Sequence, residues 1–260
     1  MKIRRFLASA ASSSPLLERP AENGRRAVAA LANVPAYARS WRRYRTLPGA
    51  EHLRYRDAYP CLTDKLATSP FDPHYFQQAV WAGERIFSNE PPEHTDVGSQ
   101  LMFVGMLAAK LPVRFVDIRP LVLDIAQLQP VVGDILALPL ADRSISSLSS
   151  LHVVEHIGLG RYGDALNPSG TWQALAELRR VLAPGGNLFL SLPVGRPRVF
   201  FNAHRIHDPR DIVEWMNELE LVEFSAVDDE GKLRLGASLH EAAELHYGCG
   251  LFWFRGPADQ

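Results

Sequence analysis

Cysteine is scarce in this chain: Cys61 and Cys249 are the two in 260 residues, far apart and outside any C-x-x-C pair. That spacing indicates neither a disulfide framework nor a cysteine-based zinc site, and it fits a reducing compartment. No apolar run approaches the ~18 residues that a bilayer-crossing helix needs. The Arg- and Ser-rich opening has one apolar stretch, Phe6 to Ala11, too short and too small-sided for a secretory leader. A cytoplasmic location is therefore expected. An excess of one charge is missing too: 28 Lys and Arg stand against 29 Asp and Glu, a net of -1, which gives no electrostatic reason to expect nucleic acid.

What is present is an ordinary globular composition, 47% hydrophobic and 22% charged, in a chain long enough to bury a substantial core. The balanced charge hides an asymmetry. Residues 1–60 carry twelve Lys and Arg against four Asp and Glu, a local +8, so the remainder carries −9. A helix is expected from Ala21 to Tyr44, opened by Pro20, ended before Pro48, and broken or kinked at Pro35. It reads as a solvated arm. Trp41, Arg42, Arg43, Tyr44 and Arg45 also interleave aromatics with cations, the pattern of a surface that meets anionic lipid, so peripheral membrane contact through residues 1–60 is a second expectation.

An aromatic helical stretch between Pro70 and Glu93 ends at Pro91 and Pro92, which read as a hinge. The expected division is a helical, basic extension over 1–92 and a second domain over 93–260. Beyond the hinge, short apolar runs alternate with helical periods, as in β-α-β units around a parallel sheet. Strands are expected at His94–Val97, Val113–Asp117, Pro130–Gly133, Ser146–Leu151, Asn187–Leu192, Leu221–Val227 and Gly248–Phe254. Helices are expected at Gln100–Lys110, Trp172–Leu182 (closed by Pro184, Gly185 and Gly186) and Asp208–Leu219. The fold class is α/β: a doubly wound, mostly parallel, seven-stranded Rossmann-like sheet.

In such sheets a nucleoside binds outside the carboxyl ends of the strands, with an acidic side chain on its ribose hydroxyls. Asp117 ends the second strand at the fitting distance from the first turn, and Asp134 follows Gly133 at the end of the third. Capping of the next helix explains either residue equally well.

Resemblance separates the two. The segment from Gly133 to Pro193 resembles the central half of class I S-adenosylmethionine-dependent methyltransferases, through Asp134, Leu138 and Pro139, Glu155 and His156, Glu177, Arg180 to Leu182, and Pro184 to Gly186. More narrowly, DVGS at Asp96 to Ser99, DIRPL at Asp117 to Leu121, FNAHRIHD at Phe201 to Asp208 and YGCGLFWF at Tyr247 to Phe254 are similar to an uncharacterised, methyltransferase-like bacterial family whose genes accompany those for surface polysaccharides. The resemblance spans about Asp96 to Phe254. It implies S-adenosylmethionine as cofactor, held by Asp96, Gly98, Asp117 and Asp134, and a small-molecule or carbohydrate acceptor. Two departures stand out. Gln100 and Met102 replace the second and third glycines of the usual loop, and Ser146 replaces an Asp entering the fourth strand.

The fourth strand ends at His152, where such enzymes face the methyl acceptor, and a neutral imidazole suits a general base. His204 and His207 reach the same cleft from the loop after the fifth strand, while His156 reads as packing. His152 and His204 are the catalytic candidates. His152, Val153, Val154, Glu155 and His156 also spell H-x-x-E-H, an inverted zinc-protease motif, but one that emerges here from a parallel strand, so no metal is expected. The glycine-rich loop from Gly158 to Thr171 reads either as a lid or as plain surface. The expected function is methyl transfer at oxygen; the alternative is a non-catalytic binding or scaffold protein associated with glycan synthesis.

Overall fold

The structure is a computed structural model that describes residues 20–119 and 121–258. The apolar stretch Phe6 to Ala11, the first cations of the basic segment and Pro120 lie outside the described residues. The chain divides into two compact units between Asp72 and Pro73.

In the smaller unit, α1 (Pro20–Tyr44) is followed by a single 3-10 turn at Tyr55–Asp57. The expected break at Pro35 does not occur; α1 runs through it. Proline removes one backbone donor, here the partner of the Leu31 carbonyl, and Leu31 is itself exposed. Trp41 stacks on Tyr55 with ring centroids 5.6 Å apart, and Asn33 donates to the Leu62 carbonyl at 2.7 Å.

The larger unit begins with α2 (Pro73–Ser88), so the aromatic helix belongs with the sheet, upstream of the expected hinge at Pro91 and Pro92. Pro73 occupies the first helical position, where its missing N–H costs nothing. The buried face of α2 presents Trp81, Ala82 and Ile86 to Phe189 and Leu251, and Glu223 receives both the Trp81 indole N–H and the Arg85 guanidinium.

The sheet is built from β1 (His94–Val97), β2 (Val113–Asp117), β3 (Leu128–Val132), β4 (Ile145–Leu151), β5 (Leu182–Val194), β8 (Glu220–Val227), β9 (Leu233–Arg234) and β10 (Gly248–Arg255). Its order is β3-β2-β1-β4-β5-β10-β8-β9. From β3 to β5 every pairing is parallel, and β10 enters antiparallel between β5 and β8. The expected seven strands are all present, and the eighth, β9, is a two-residue edge.

Helices cover both faces. On one, Ala174, Leu175 and Leu178 of α4 (Gly170–Val181) pack on Leu148, Leu190 and Phe252. On the other, α2 and α3 (Leu101–Ala108) bury Phe115, Leu151 and Phe189. A short hairpin, β6 (Arg198–Phe200) with β7 (His204–Ile206), and helices α5 (Pro209–Trp215) and α6 (Leu239–Ala243) complete the unit. The segment at Pro184 to Gly186 does not simply close α4. Ile145 faces Leu182 while Ser147 already faces Asn187, so these residues bulge out of β5, with Gly185 at φ +65°.

Candidate functional site

Parallel pairing delivers the ends of β1 to β4 to one edge of the sheet. The Gly98 N–H donates to the Val116 carbonyl at 2.9 Å, Gly133 to that of Asp117 at 3.0 Å, and His152 to that of Ser191 at 2.9 Å. Gly98, Asp117, the Gly133–Asp134 pair and His152 therefore leave neighbouring strands side by side.

Gly98 has φ +72°, and a Cβ there would lie 3.0 Å from Val153. The first loop thus touches the residue next to His152. Gln100 and Met102, which replace the usual glycines, are both exposed, Met102 at 77%, so neither side chain is packed into the core.

The Asp117 carboxylate is engaged by its neighbour. It accepts from the Arg119 backbone N–H at 2.8 Å and from the Arg119 guanidinium at 3.1 Å on each oxygen. The exposed Asp134 accepts from the Leu136 N–H at 2.8 Å, which holds a tight turn after β3. Gly133 is required there: a Cβ would lie 2.6 Å from Pro139 and 2.8 Å from Val116.

Asp96 does not join this edge. It is fully buried, accepting from the Ser99 N–H at 3.0 Å and from the Ser149 hydroxyl. His94 lies 2.7 Å from Ser147 Oγ and 2.8 Å from Ser149 Oγ, so a polar seam joins β1 to β4. Burial lowers His94 to about 3, keeping it neutral, and raises Asp96 to about 6. Ser147 and Ser149 are the β4 side of this seam. Both contacts of Asp96 lie within the sheet and its first turn.

His152 takes φ +56°, a left-handed conformation that costs a non-glycine residue of order 1 kcal/mol and is concentrated at functional sites. Its Nδ1 lies 2.6 Å from Oε1 of Glu155, which is fully buried. Burial raises Glu155 to about 6, opposed by the nearby His156. At neutral pH the carboxylate accepts the Nδ1 proton, which fixes the tautomer and directs the lone pair of His152 to Nε2. The same device orients histidine bases and histidine metal ligands.

The H-x-x-E-H segment is not an α-helix. His152 ends β4, and Val154–His156 form one 3-10 turn, so His152 and His156 do not share a helical face. His156 donates from Nδ1 to the Ala203 carbonyl at 2.6 Å, consistent with packing. His204 opens β7, is 2% exposed, and has no hydrogen-bond partner at Nε2 among the described residues. Burial, then the neighbouring His152, lowers it to about 4. His207 sits apart against Trp172, ring centroids 5.3 Å apart.

Sequence reasoning missed the company that His152 keeps. The His74 ring from α2 stacks on it at 5.5 Å, Tyr75 lies at 5.1 Å, and Tyr247 lies 4.8 Å from His74 and 5.3 Å from His204. YGCG marked Tyr247 by resemblance; nothing marked His74. The glycine loop after His156 is built rather than loose. Asp164 accepts from the N–H groups of Gly158, Tyr162 and Gly160, and Arg205 donates to the Ile157 and Asn167 carbonyls. At its tip the guanidinium groups of Arg119 and Arg161 lie 5.2 and 5.1 Å from the Tyr162 ring, so the loop extends from the Asp117 end of the edge to His156.

Residues 141–247 match the family model described as "Caenorhabditis protein of unknown function, DUF268", a span that includes His152, Glu155 and His204. No curated protein sequence matches the chain. Among solved structures, the [4+2]-cyclase SpnF is 14% identical over 70% of this chain and 82% of its own, with a TM-score of 0.54. The Haloferax volcanii complex of the Trm112 methyltransferase activator with a putative methyltransferase gives 16% identity, coverage of 72% and 91%, and a TM-score of 0.52. The N-methyltransferase NodS from Bradyrhizobium japonicum WM9, in complex with S-adenosyl-l-homocysteine, gives 16%, 72% and 89%, and 0.51. These likenesses establish the fold as Rossmann-like and of the class I methyltransferase type. A cyclase among them shows that the fold alone does not fix the reaction.

Proposed function

We propose that the protein transfers a methyl group from S-adenosylmethionine to a hydroxyl of a small or carbohydrate acceptor. The observation that carries this reading is the convergence of Gly98, Asp117, Gly133–Asp134 and His152 at the carboxyl ends of four adjacent parallel strands. These residues fit the cofactor: Gly98 makes the turn after β1 at a positive φ where a Cβ would crowd Val153, Asp117 is a ribose acceptor at the end of β2, and neither Gln100 nor Met102 is packed into the core. NodS, with the same fold, holds S-adenosyl-l-homocysteine.

When bound, the cofactor supplies an electrophilic methyl on a sulfonium. Asp117 would hold the ribose hydroxyls once Arg119 yields part of its hold, and the turn after Gly133 would hold the adenine. His152 Nε2 would take the acceptor's proton while Glu155 keeps Nδ1 protonated. Alignment of donor and acceptor would supply most of the rate, and the base about 10²–10⁴-fold.

The test is incorporation of labelled methyl into a panel of hydroxyl compounds and sugars. His152→Asn should lose about 10²–10⁴ in rate with unchanged affinity for S-adenosylhomocysteine. Equal rates for both proteins would remove the base assignment. A second reading, a binding or scaffold protein beside glycan synthesis, draws support from the Arg119 fork that holds Asp117. It requires that the wild type transfer methyl to nothing.

A further inference from the structure

We propose that His74, His152 and Cys249 form a binding site for a zinc ion at the acceptor end of the sheet. The three residues come from separate elements: the first turn of α2, the end of β4 and the start of β10. All are buried, and their ligand atoms lie within 4.8 Å of one another. In tetrahedral coordination, nitrogen and sulfur ligands of zinc stand about 3.3–3.6 Å apart, so small side-chain rotations close the set. Among the described residues it is the one such grouping of histidine, cysteine and carboxylate donors.

Independent of that proximity is the partner of His152. Metal-bound histidines characteristically donate their other ring N–H to a carboxylate, which sets the tautomer and sharpens the ligand nitrogen. Glu155, fully buried and 2.6 Å from Nδ1, occupies that position and leaves Nε2 as the ligand atom. Beside the trio, His204 is buried with an unpartnered Nε2 among the described residues and lies 5.3 Å, ring to ring, from Tyr247, which in turn packs on His74. A water or acceptor group on the metal would give that nitrogen a partner.

The donor set selects the metal. Two imidazoles and a thiolate, with no carboxylate, suit zinc and disfavour magnesium or calcium. Three protein ligands with a fourth position open to water or substrate are the pattern of catalytic rather than purely structural zinc. An ion there lowers the pKa of a hydroxyl or thiol bound to it, and in the loaded protein His152 serves as ligand in place of base. The H-x-x-E-H motif thus contributes one ligand and its orienting carboxylate, while His156 stays out.

The inference shares His152 with the methyl-transfer reading and revises one step of it: with zinc on Nε2 the metal, in place of the imidazole, lowers the pKa of the acceptor group, while ion binding itself needs no cofactor. The full-length protein, purified without chelator, should contain about one equivalent of zinc by elemental analysis. After zinc removal, cobalt(II) should produce a sulfur-to-cobalt charge-transfer band in the near ultraviolet. Cys249→Ser should lose the band and Cys61→Ser should keep it; with two cysteines in the chain, that pair identifies the thiolate. His74→Ala should weaken cobalt binding at least tenfold. Wild-type protein with no zinc and no charge-transfer band would overturn the site, as would a band that persists in Cys249→Ser. Affinity for S-adenosylhomocysteine, measured on the same preparations, reports the methyltransferase reading separately.

Discussion

At the scale of single residues, the sequence told chemical types well and partners poorly. Asp117, Gly98, Asp134 and His152 could be placed because each ends or follows a short strand closed by a turn signal or marked by the resemblance. Asp96 shows the limit, since a carboxylate at the end of β1 looks the same in sequence whatever it meets; the register Asp96 opposite Ser149 supplies the partner. His74 was invisible because its neighbours are more than seventy residues distant in sequence. The buried seam makes a testable statement. Burial raises Asp96 from 3.8 to about 6. With the folded value above the unfolded one, the stability tied to its protonated form is complete below about pH 4 and is lost as pH rises through about 6. Asp96→Asn, which never ionises, should therefore gain on the wild type as pH rises from about 4 to 7. Melting temperatures of both proteins across that range check it, and a gap independent of pH would contradict it.

Elements were legible in proportion to their length and regularity. β1 and β2 match their expected bounds, and β4, β8 and β10 differ by a residue at one end, because each is a short run of strand-forming residues bounded by turn signals. The β6–β7 hairpin and α6 escaped, being too short to show a period, and the bulge at Pro184 to Gly186 hid the first part of β5. The turn after β1 ties local geometry to the site. Gly98 and Gly163 both have positive φ, but a Cβ at Gly163 meets nothing within 4 Å whereas one at Gly98 meets Val153 at 3.0 Å. Each alanine substitution should cost about 1 kcal/mol of backbone strain, with Gly98→Ala costing more because Val153 must shift. It should also weaken cofactor binding. Urea unfolding of the two variants separates the terms, and equal losses would remove the role given to the Gly98–Val153 contact.

For the whole molecule, charge is the property that fold does not explain. No helix among the described residues is long and apolar enough to cross a membrane. The +8 over residues 1–60 nevertheless suits an anionic surface, where each Lys or Arg adds about 1 kcal/mol. Trp41 is less suited to that role than its sequence suggested, since it is half-buried and stacked on Tyr55; exposed Arg42 and Arg43 remain. We propose salt-sensitive binding to anionic vesicles through this segment. Co-sedimentation at low salt should drop when residues 1–60 are deleted, and equal sedimentation of both proteins would leave the segment a structural arm.

The central claim is that the edge formed by β1 to β4 binds the S-adenosyl group. Calorimetry with S-adenosylhomocysteine tests it most directly, on the wild type, Asp117→Ala and Arg119→Ala. The wild type should bind well below millimolar. Asp117→Ala should lose about 1.5–3 kcal/mol for each ribose hydrogen bond to the carboxylate, a weakening of at least tenfold, while Arg119→Ala, which releases the carboxylate, should bind as tightly as the wild type or tighter. Wild-type affinity no better than about 1 mM, or an Asp117→Ala protein that binds as the wild type does, would contradict the account.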